Sequence, residues 1–268
     1  MEFMAGLAQY NFLKNALIAV LIISPIFGIL GTMIVNNRMA FFSDALGHGA
    51  FTGIVIGSLL GLMEPLWAAV AFSIVFSILI TAIKNRSKAS TDTVIGVFSS
   101  TTIALGVVLA PLGRVNVRNL MFGDLLSITL SDIIILMAVL VAVLVIWTVM
   151  FNKMLLVSIN QSLAGSRGIN TLLVDMVFTS AIAVIVTVSI QWVGLLIINS
   201  LLVLPAAASR NIASNIRQYH LISILLALVS GITGLVLSFY WDCATGATVV
   251  LVCALFYFIT LGLRRRFT

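Results

Sequence analysis

The sequence predicts an all-α integral membrane protein, a polytopic bundle of about nine transmembrane helices, and three observations lead to this fold class. Of its 268 residues, 62% are hydrophobic and only 8% are charged. A soluble domain is typically about 45–50% apolar and about 25% charged. The mean hydropathy is +1.24, and the apolar residues fall in runs of the roughly 20 residues that a membrane-crossing helix needs. A large soluble globule is therefore not expected.

Nine runs along the chain are long and apolar enough to be candidate spans. Only Gln191 and Trp192 separate the sixth from the seventh, which predicts a tight turn, and the short seventh run ends near Pro205. A count of eight, with one segment interfacial or re-entrant, is the alternative. No Pro/Gly/Ser-rich linker divides the chain, so residues 1–268 are expected to form a single transmembrane domain. The candidates are about 13–35, 40–62, 65–83, 93–112, 131–151, 171–190, 193–209, 220–240 and 243–263.

The basic residues predict the orientation of these spans. The net charge is +6, but the cations cluster between apolar runs, so they indicate topology and no nucleic-acid partner is expected. With a cytoplasmic C-terminus, eleven Lys and Arg fall inside and three outside, and the opposite orientation reverses the split. The N-terminus is then outside. The inside set is Arg38, Lys84, Arg86, Lys88, Lys153, Arg167, Arg210, Arg217, Arg264, Arg265 and Arg266, and the outside set is Lys14, Arg114 and Arg118.

One cytoplasmic segment, residues 151–170, is too polar to span the membrane and is expected to lie along its surface as a helix. The chain contains no Gly-Lys dipeptide, so it has no Walker A motif. If transport is driven by ATP, the ATPase must be a separate chain. The segment at about 151–170 is then the natural place for that ATPase to dock.

Asp44 and His48 form the most informative pair in the chain. They stand at positions i and i+4 of the second span, so both side chains point to the same side of a helix. Ionisable groups at membrane depth are costly and usually functional, and carboxylate oxygen with imidazole nitrogen suits a divalent transition metal. The pair therefore predicts a metal contact, with a hydrogen bond that only locks packing as the alternative. Two ligands are too few for tight binding, so a second copy of the chain or other helices would complete the site.

Small residues recur every four positions beside this pair. Such rows let another helix approach closely in lipid, so we expect tight packing along the row, with Asp44, His48 and Thr52 next to the seam. Counting about 1.5 Å per residue from Arg38 places His48 about 15 Å along the helix, near mid-membrane. The row consists of Ala45, Gly49, Gly53, Gly57 and Gly61.

Other polar residues in the spans are less specific. Asn199 and Ser200 interrupt the seventh span and Pro205 follows them, which predicts either a path-lining or broken helix or simple interhelical bonding. Asp92 and Asp175 lie near the cytoplasmic starts of helices. Capping is expected for both, because a carboxylate there favours the helix dipole.

Four stretches in order carry a family resemblance. The first, residues 37–50, has an Arg-Met start followed by Asp-x-x-x-His. The others are Phe-Gly-Asp in residues 121–129, Gly-x-Leu-Leu with Leu-x-Pro-Ala-Ala in 193–210, and Asp-x-x-x-Gly in 238–248. Over nearly its whole length the chain resembles the membrane permease of bacterial ABC importers for zinc, manganese and iron.

The resemblance implies a homodimer with a central path in the bacterial cytoplasmic membrane, two cytoplasmic ATPase subunits and an extracytoplasmic metal-binding protein. It implies no permanently bound cofactor, only the transported metal. Asp44 and His48 match the family's metal-contacting pair. Ala164 and Gly168 match the Ala-x-x-x-Gly of its ATPase-coupling helix, although polar residues 160–162 replace the acidic residue often found just before that alanine.

The expected function is the permease of an ATP-driven importer for a divalent transition metal, working by alternating access, with the metal passing Asp44 and His48. Zinc is the first choice, and manganese or iron the second. One rival is a proton-coupled secondary transporter in which the same pair relays protons. The other is an intramembrane enzyme, for which the sequence offers neither a nucleophile–base set nor a complete zinc site. The chain is thus expected to be a transport subunit and not an enzyme.

Overall fold

The computed structural model describes residues 10–113 and 128–267. These residues form ten helices and no strand, which agrees with the predicted all-α class. Arg114, Arg118 and most of the 121–129 stretch lie outside the described residues. The helices are α1 Asn11–Asn36, α2 Phe42–Leu59, α3 Pro65–Arg86, α4 Thr91–Gly113, α5 Leu130–Ile159, α6 Gln161–Ser166, α7 Thr171–Val193, α8 Leu195–Ile212, α9 Ile216–Trp241 and α10 Thr245–Phe267.

Eight of the described helices are long and apolar enough to cross a membrane, all except α2 and α6. This confirms a polytopic helical membrane protein and agrees with the lower of the two predicted counts. The remaining candidate, residues 40–62, does form a helix, but the 18 residues of α2 include Asp44, His48 and four glycines, so its hydropathy is too low for a candidate span. The residues that single α2 out as a site are also those that lower its hydropathy.

Polar side chains fix several helix starts, because they satisfy backbone N–H groups that have no partner within the helix. Ser90 Oγ accepts the N–H of Thr93 at 3.1 Å and begins α4. Asn170 Oδ1 accepts the N–H of Leu173 at 3.1 Å and begins α7. The predicted capping at the start of α7 is therefore performed by Asn170, and Asp175 stands beyond it with a different role.

Two glycines determine how helices end. Gly61 has φ of 70° and follows α2 in a Schellman motif, in which the N–H of Leu62 bonds the Gly57 carbonyl at 3.1 Å. Gly194 is the one residue between α7 and α8, with φ of 79° and ψ of 155°, a region open essentially to glycine alone. The tight turn expected at 191–192 therefore lies two residues later.

The described residues group into two compact units. One, the α2–α4 unit, contains residues 36–113 and 143–191, and the other, the α8–α10 unit, contains 10–35, 128–142 and 192–267. In the first, α2 packs against both α3 and α4, and in the second, α8 packs against α9 and α10. The prediction of a single transmembrane domain stays a prediction.

In the α8–α10 unit, glycines of α1 lie directly against neighbouring backbone. A Cβ on Gly31 would overlap the Leu202 carbonyl of α8, and one on Gly28 would lie 2.9 Å from the Cα of Ile224 in α9. Beside this seam the hydroxyl of Thr32 donates to its own helix at the Ile29 carbonyl, 2.6 Å away. Thr32 therefore accepts from Nδ1–H of His220, 2.7 Å away, since a hydroxyl has one proton to donate.

Candidate metal site on the second helix

The helix that carries the metal pair begins after an irregular turn. Arg38 adopts a left-handed conformation with φ of 55°, and the carbonyl of the buried Met39 accepts the N–H of Phe42 at 3.0 Å. Residues 37–41 are therefore not helical, and Asp44 stands in the first turn of α2, where its carboxylate complements the helix dipole.

This start changes the position of the pair along its helix. Counted from Phe42 at about 1.5 Å per residue, His48 lies about 9 Å along a helix of about 27 Å, or about one third of its length. The mid-membrane depth of His48 stays a prediction.

Asp44 and His48 are brought together on one face of α2. Oδ2 of Asp44 and Nε2 of His48 are 3.4 Å apart, and their side chains are 43% and 19% exposed in the isolated chain. The pair is thus partly open at the surface of the α2–α4 unit. Among the residues that the structure describes, no group of three or more His, Cys, Asp and Glu side chains could hold a metal ion. At this site the described part of the chain therefore supplies two ligands, the Asp44 carboxylate and the His48 imidazole.

The face is set by packing of the glycine row against α3. A Cβ on Gly53 would lie 2.6 Å from the Cα of Ala69, and one on Gly57 would lie 2.7 Å from the Cβ of Ala68. Gly49 faces the ring of Phe76, with 3.1 Å from its ideal Cβ position to the nearest ring carbon. Gly61 does not belong to this row: no atom lies within 4 Å of its Cβ position, because it serves the turn that ends α2.

Thr52 stands one turn beyond His48 and bonds within the α2–α4 unit, and a path-lining role for it stays a prediction. It is fully buried, and its hydroxyl donates to the backbone carbonyl of Thr102 in α4 at 2.7 Å. Gly106, one turn further along α4, leaves the room that this side chain occupies, since a Cβ there would lie 2.5 Å from the Thr52 hydroxyl oxygen. Thr52 therefore joins α2 to α4.

Asn199 and Ser200 lie in α8, in the other compact unit. α8 runs unbroken from Leu195 to Ile212 through Pro205, so the broken-helix alternative is wrong. The Ser200 hydroxyl donates to the Ile197 carbonyl of its own helix at 3.0 Å. A path-lining role for Asn199 and Ser200 stays a prediction.

The predicted coupling segment, expected as a surface helix over residues 151–170, is not one element: residues 151–159 continue α5, and a short, well-capped helix, α6, follows. Asn160, one of the residues that replace the expected acidic residue, accepts the N–H of Leu163 at 3.0 Å and begins α6. Ala164 is fully buried, and Gly168 ends the helix with φ of 75° in a second Schellman motif. Beside it lies a groove of about 420 Å³ lined mainly by Lys153, Leu155, Leu156, Ile159, Arg167 and Ile169.

Sequence reasoning missed an ion pair in the same unit. Nζ of Lys84, at the end of α3, lies 3.4 Å from Oδ2 of Asp175 in α7, with side chains only 13% and 10% exposed. Once Asn170 is recognised as the cap of α7, Asp175 falls in the second turn, where attraction to the helix dipole has faded. The distance of Asp175 from the helix start is the signal in the sequence that its carboxylate needs a charged partner.

Comparison with known proteins identifies the family. Residues 9–264 match the family described as ABC 3 transport. The chain belongs to this family. The structure of PsaBC from Streptococcus pneumoniae in complex with Fab superposes with a TM-score of 0.85, at 28% identity, and the match covers 97% of this chain and 94% of that one.

Two relatives illustrate the similarity over the full length. The manganese import system permease protein ScaB of Streptococcus parasanguinis is 31% identical, over 97% of this chain and 93% of its own. The high-affinity zinc uptake system membrane protein ZnuB of Haemophilus influenzae is also 31% identical, over 96% of this chain and 100% of its own. The predicted fold type and the predicted class, a transport subunit and not an enzyme, are confirmed by this family.

Proposed function

We propose that the chain is the membrane permease of an ATP-driven importer for a divalent transition metal, and that the metal is zinc. The observation that carries this is the Asp44–His48 pair, which is partly exposed on α2 beside the glycine row that packs on α3. Membership in an ABC transport family, with relatives named for zinc and for manganese, supports the same reading.

The ligand types of the pair support zinc. Imidazole nitrogen and carboxylate oxygen are both ligands that zinc takes in proteins, whereas carboxylate, carbonyl and water oxygens suit manganese. Manganese remains the second candidate because ScaB is named for it.

The incomplete ligand set supports a homodimer. A two-fold axis beside α2 would bring two Asp44–His48 pairs together and supply four ligands from two chains. The Asp44→Cys variant, with Cys243 and Cys253 replaced by Ser, then forms a disulfide-linked dimer in membranes on mild oxidation. A Val97→Cys variant on an exposed part of α4 is the control. Monomer at both positions would count against this arrangement.

The remaining partners follow from the topology. The positive-inside rule supports a cytoplasmic position for the coupling segment and the C-terminus, because it puts eleven basic residues on that side. An ATPase chain docks there, at the groove beside α6 and around the exposed Gly168, while Ala164 is buried within this chain. A metal-binding protein delivers the ion at the other side. ATP turnover then switches the permease between a state open to the outside and a state open to the cytoplasm.

The deciding experiment is ⁶⁵Zn uptake in bacteria that lack their own zinc importer. Asp44→Ala and His48→Ala are each expected to reduce uptake by at least about ten-fold, the lower end of what losing even an outer-shell partner costs a metal site. Asp92→Asn is the matched control, because Asp92 is also a first-turn aspartate but stands at the start of α4. Normal uptake by both alanine variants would contradict the pathway role, and stronger competition by manganese than by unlabelled zinc would reassign the metal.

A further inference from the structure

We propose that the Lys84–Asp175 ion pair is the link that carries movement of the coupling segment to the start of the metal-pair helix. The inference rests on the proposed function. All the contacts that carry it lie within the α2–α4 unit.

Asp175 is attached to the coupling segment through a short, stiff connection. Gly168 ends α6 in a left-handed conformation, and Asn170 caps α7, which begins at Thr171. Asp175 follows four residues later, about one helical turn into α7. A displacement of α6 therefore moves the Asp175 carboxylate with little slack in between.

Lys84 connects this carboxylate to the turn before α2. Its ammonium lies 3.4 Å from Oδ2 of Asp175 and 3.8 Å from the sulfur of Met39. Met39 is buried, and its carbonyl accepts the N–H of Phe42 that opens α2. Asp44 stands two residues after Phe42. The Lys84 ammonium group thus joins the end of α3 to α7 and to the turn at Met39, which sets where α2 begins.

Hydroxyl contacts continue the line between α3 and α7. Thr81 and Thr179 are 2.9 Å apart, and Ser77 and Ser180 are 3.5 Å apart. Together with the ion pair, these two contacts join α3 and α7, which are antiparallel, at three successive positions. They keep the two helices in register, and α3 in turn packs against the glycine row of α2.

The ion pair is not explained by stability alone. Both side chains are nearly buried, and removing two charges from water costs as much as or more than their attraction returns, so apolar pairs of similar volume are often as stable at such sites. The charges are accounted for if the ion pair keeps α7 connected to the turn at Met39 while the permease changes between its transport states.

The test compares transport with ATP turnover in proteoliposomes that contain the permease with its ATPase and binding protein. The Lys84→Met/Asp175→Leu double variant replaces the pair with apolar side chains. We expect it to remain folded and to hydrolyse ATP, but to move about five-fold fewer zinc ions per ATP hydrolysed, a typical size for an altered coupling between sites. Lys84→Arg, which keeps the charge, should retain the ratio.

Two further variants separate coupling from packing. Asp175→Asn keeps the side-chain shape and should lower the ratio in the same way, which provides a second reading if the double variant is unstable. Thr101→Val in α4, whose exposed hydroxyl bonds only its own helix, touches none of these contacts and should leave the ratio unchanged. An unchanged ratio in the double variant and in Asp175→Asn, or an equal fall in the threonine control, would overturn the inference. Absence of both zinc and manganese uptake by the wild-type transporter would overturn the proposed function, and the inference with it.

Discussion

A Cβ placed on Gly53 would lie 2.6 Å from the Cα of Ala69, so α2 and α3 meet backbone to backbone at this point. The Gly53→Ala variant is expected to destabilise the permease by about 1–3 kcal/mol, because main-chain atoms cannot yield as a flexible side chain can. The measurement is thermal unfolding of the purified protein in detergent.

Gly96→Ala in α4 is the control for this change, since no atom lies within 4 Å of its Cβ position. There the added methyl should be neutral or stabilise by up to about 1 kcal/mol through helix propensity. Equal melting temperatures for the two variants would show that the close approach at Gly53 is not energetically important.

Thr52→Val removes a hydroxyl that bonds the carbonyl of Thr102 within the core. We expect a loss of about 1 kcal/mol in unfolding free energy, the usual net value of such a bond, with zinc uptake per molecule unchanged. Thr101→Val, whose hydroxyl bonds its own helix at the surface, should change neither. Loss of uptake by Thr52→Val at unchanged stability would instead support a role for this residue in the pathway.

Gly194→Ala places a methyl group where φ is 79° and ψ is 155°. An L-residue in this region costs about 1–3 kcal/mol, so we expect a lower melting temperature and reduced yield from membranes. Gly262→Ala in α10 has open space at its Cβ position and should be tolerated. Wild-type stability of the Gly194 variant would mean that the link between α7 and α8 can adopt another conformation.

Cys243 reports the orientation of the chain. It is exposed just after α9, whereas Cys253 is buried. The predicted topology places Cys243 outside, so a membrane-impermeant maleimide should label it in intact spheroplasts, and Cys243→Ser should abolish the signal. Labelling only after permeabilisation would indicate the opposite orientation.

Asn160→Ala removes the cap of α6. A lost cap costs about 0.5–2 kcal/mol, so hydrogen exchange should rise across residues 160–170 and ATP turnover of the assembled transporter should fall. Asn160→Asp keeps an oxygen acceptor at this position and should restore both values. If exchange rises while ATP turnover stays at the wild-type level, α6 is not part of the ATPase contact.

Much of the fold could be predicted because lipid imposes a simple rule on sequence. A membrane span must be long and apolar, and eight of the nine predicted spans meet both conditions as helices. The exact start of α2 could not be predicted, since it depends on a left-handed Arg38 and on Met39 being buried by neighbours distant in sequence.

The site was predictable where spacing along one helix decides it. Asp44 and His48 share a face by periodicity alone, and so do Gly49, Gly53 and Gly57. Thr52 has the same spacing, yet it bonds Thr102 because α4 packs on that part of the helix. The pairing of Lys84 with Asp175 joins residues 91 positions apart, which no local pattern can reveal.

The length of α5 has a consequence for where partners can meet this protein. Its 30 residues extend about 45 Å, against a hydrocarbon core of about 30 Å. The helix is therefore about 15 Å, or about ten residues, longer than this core is thick, and its last residues form one wall of the groove beside α6. A protein that binds in this groove would contact the same continuous helix that makes up a candidate membrane span.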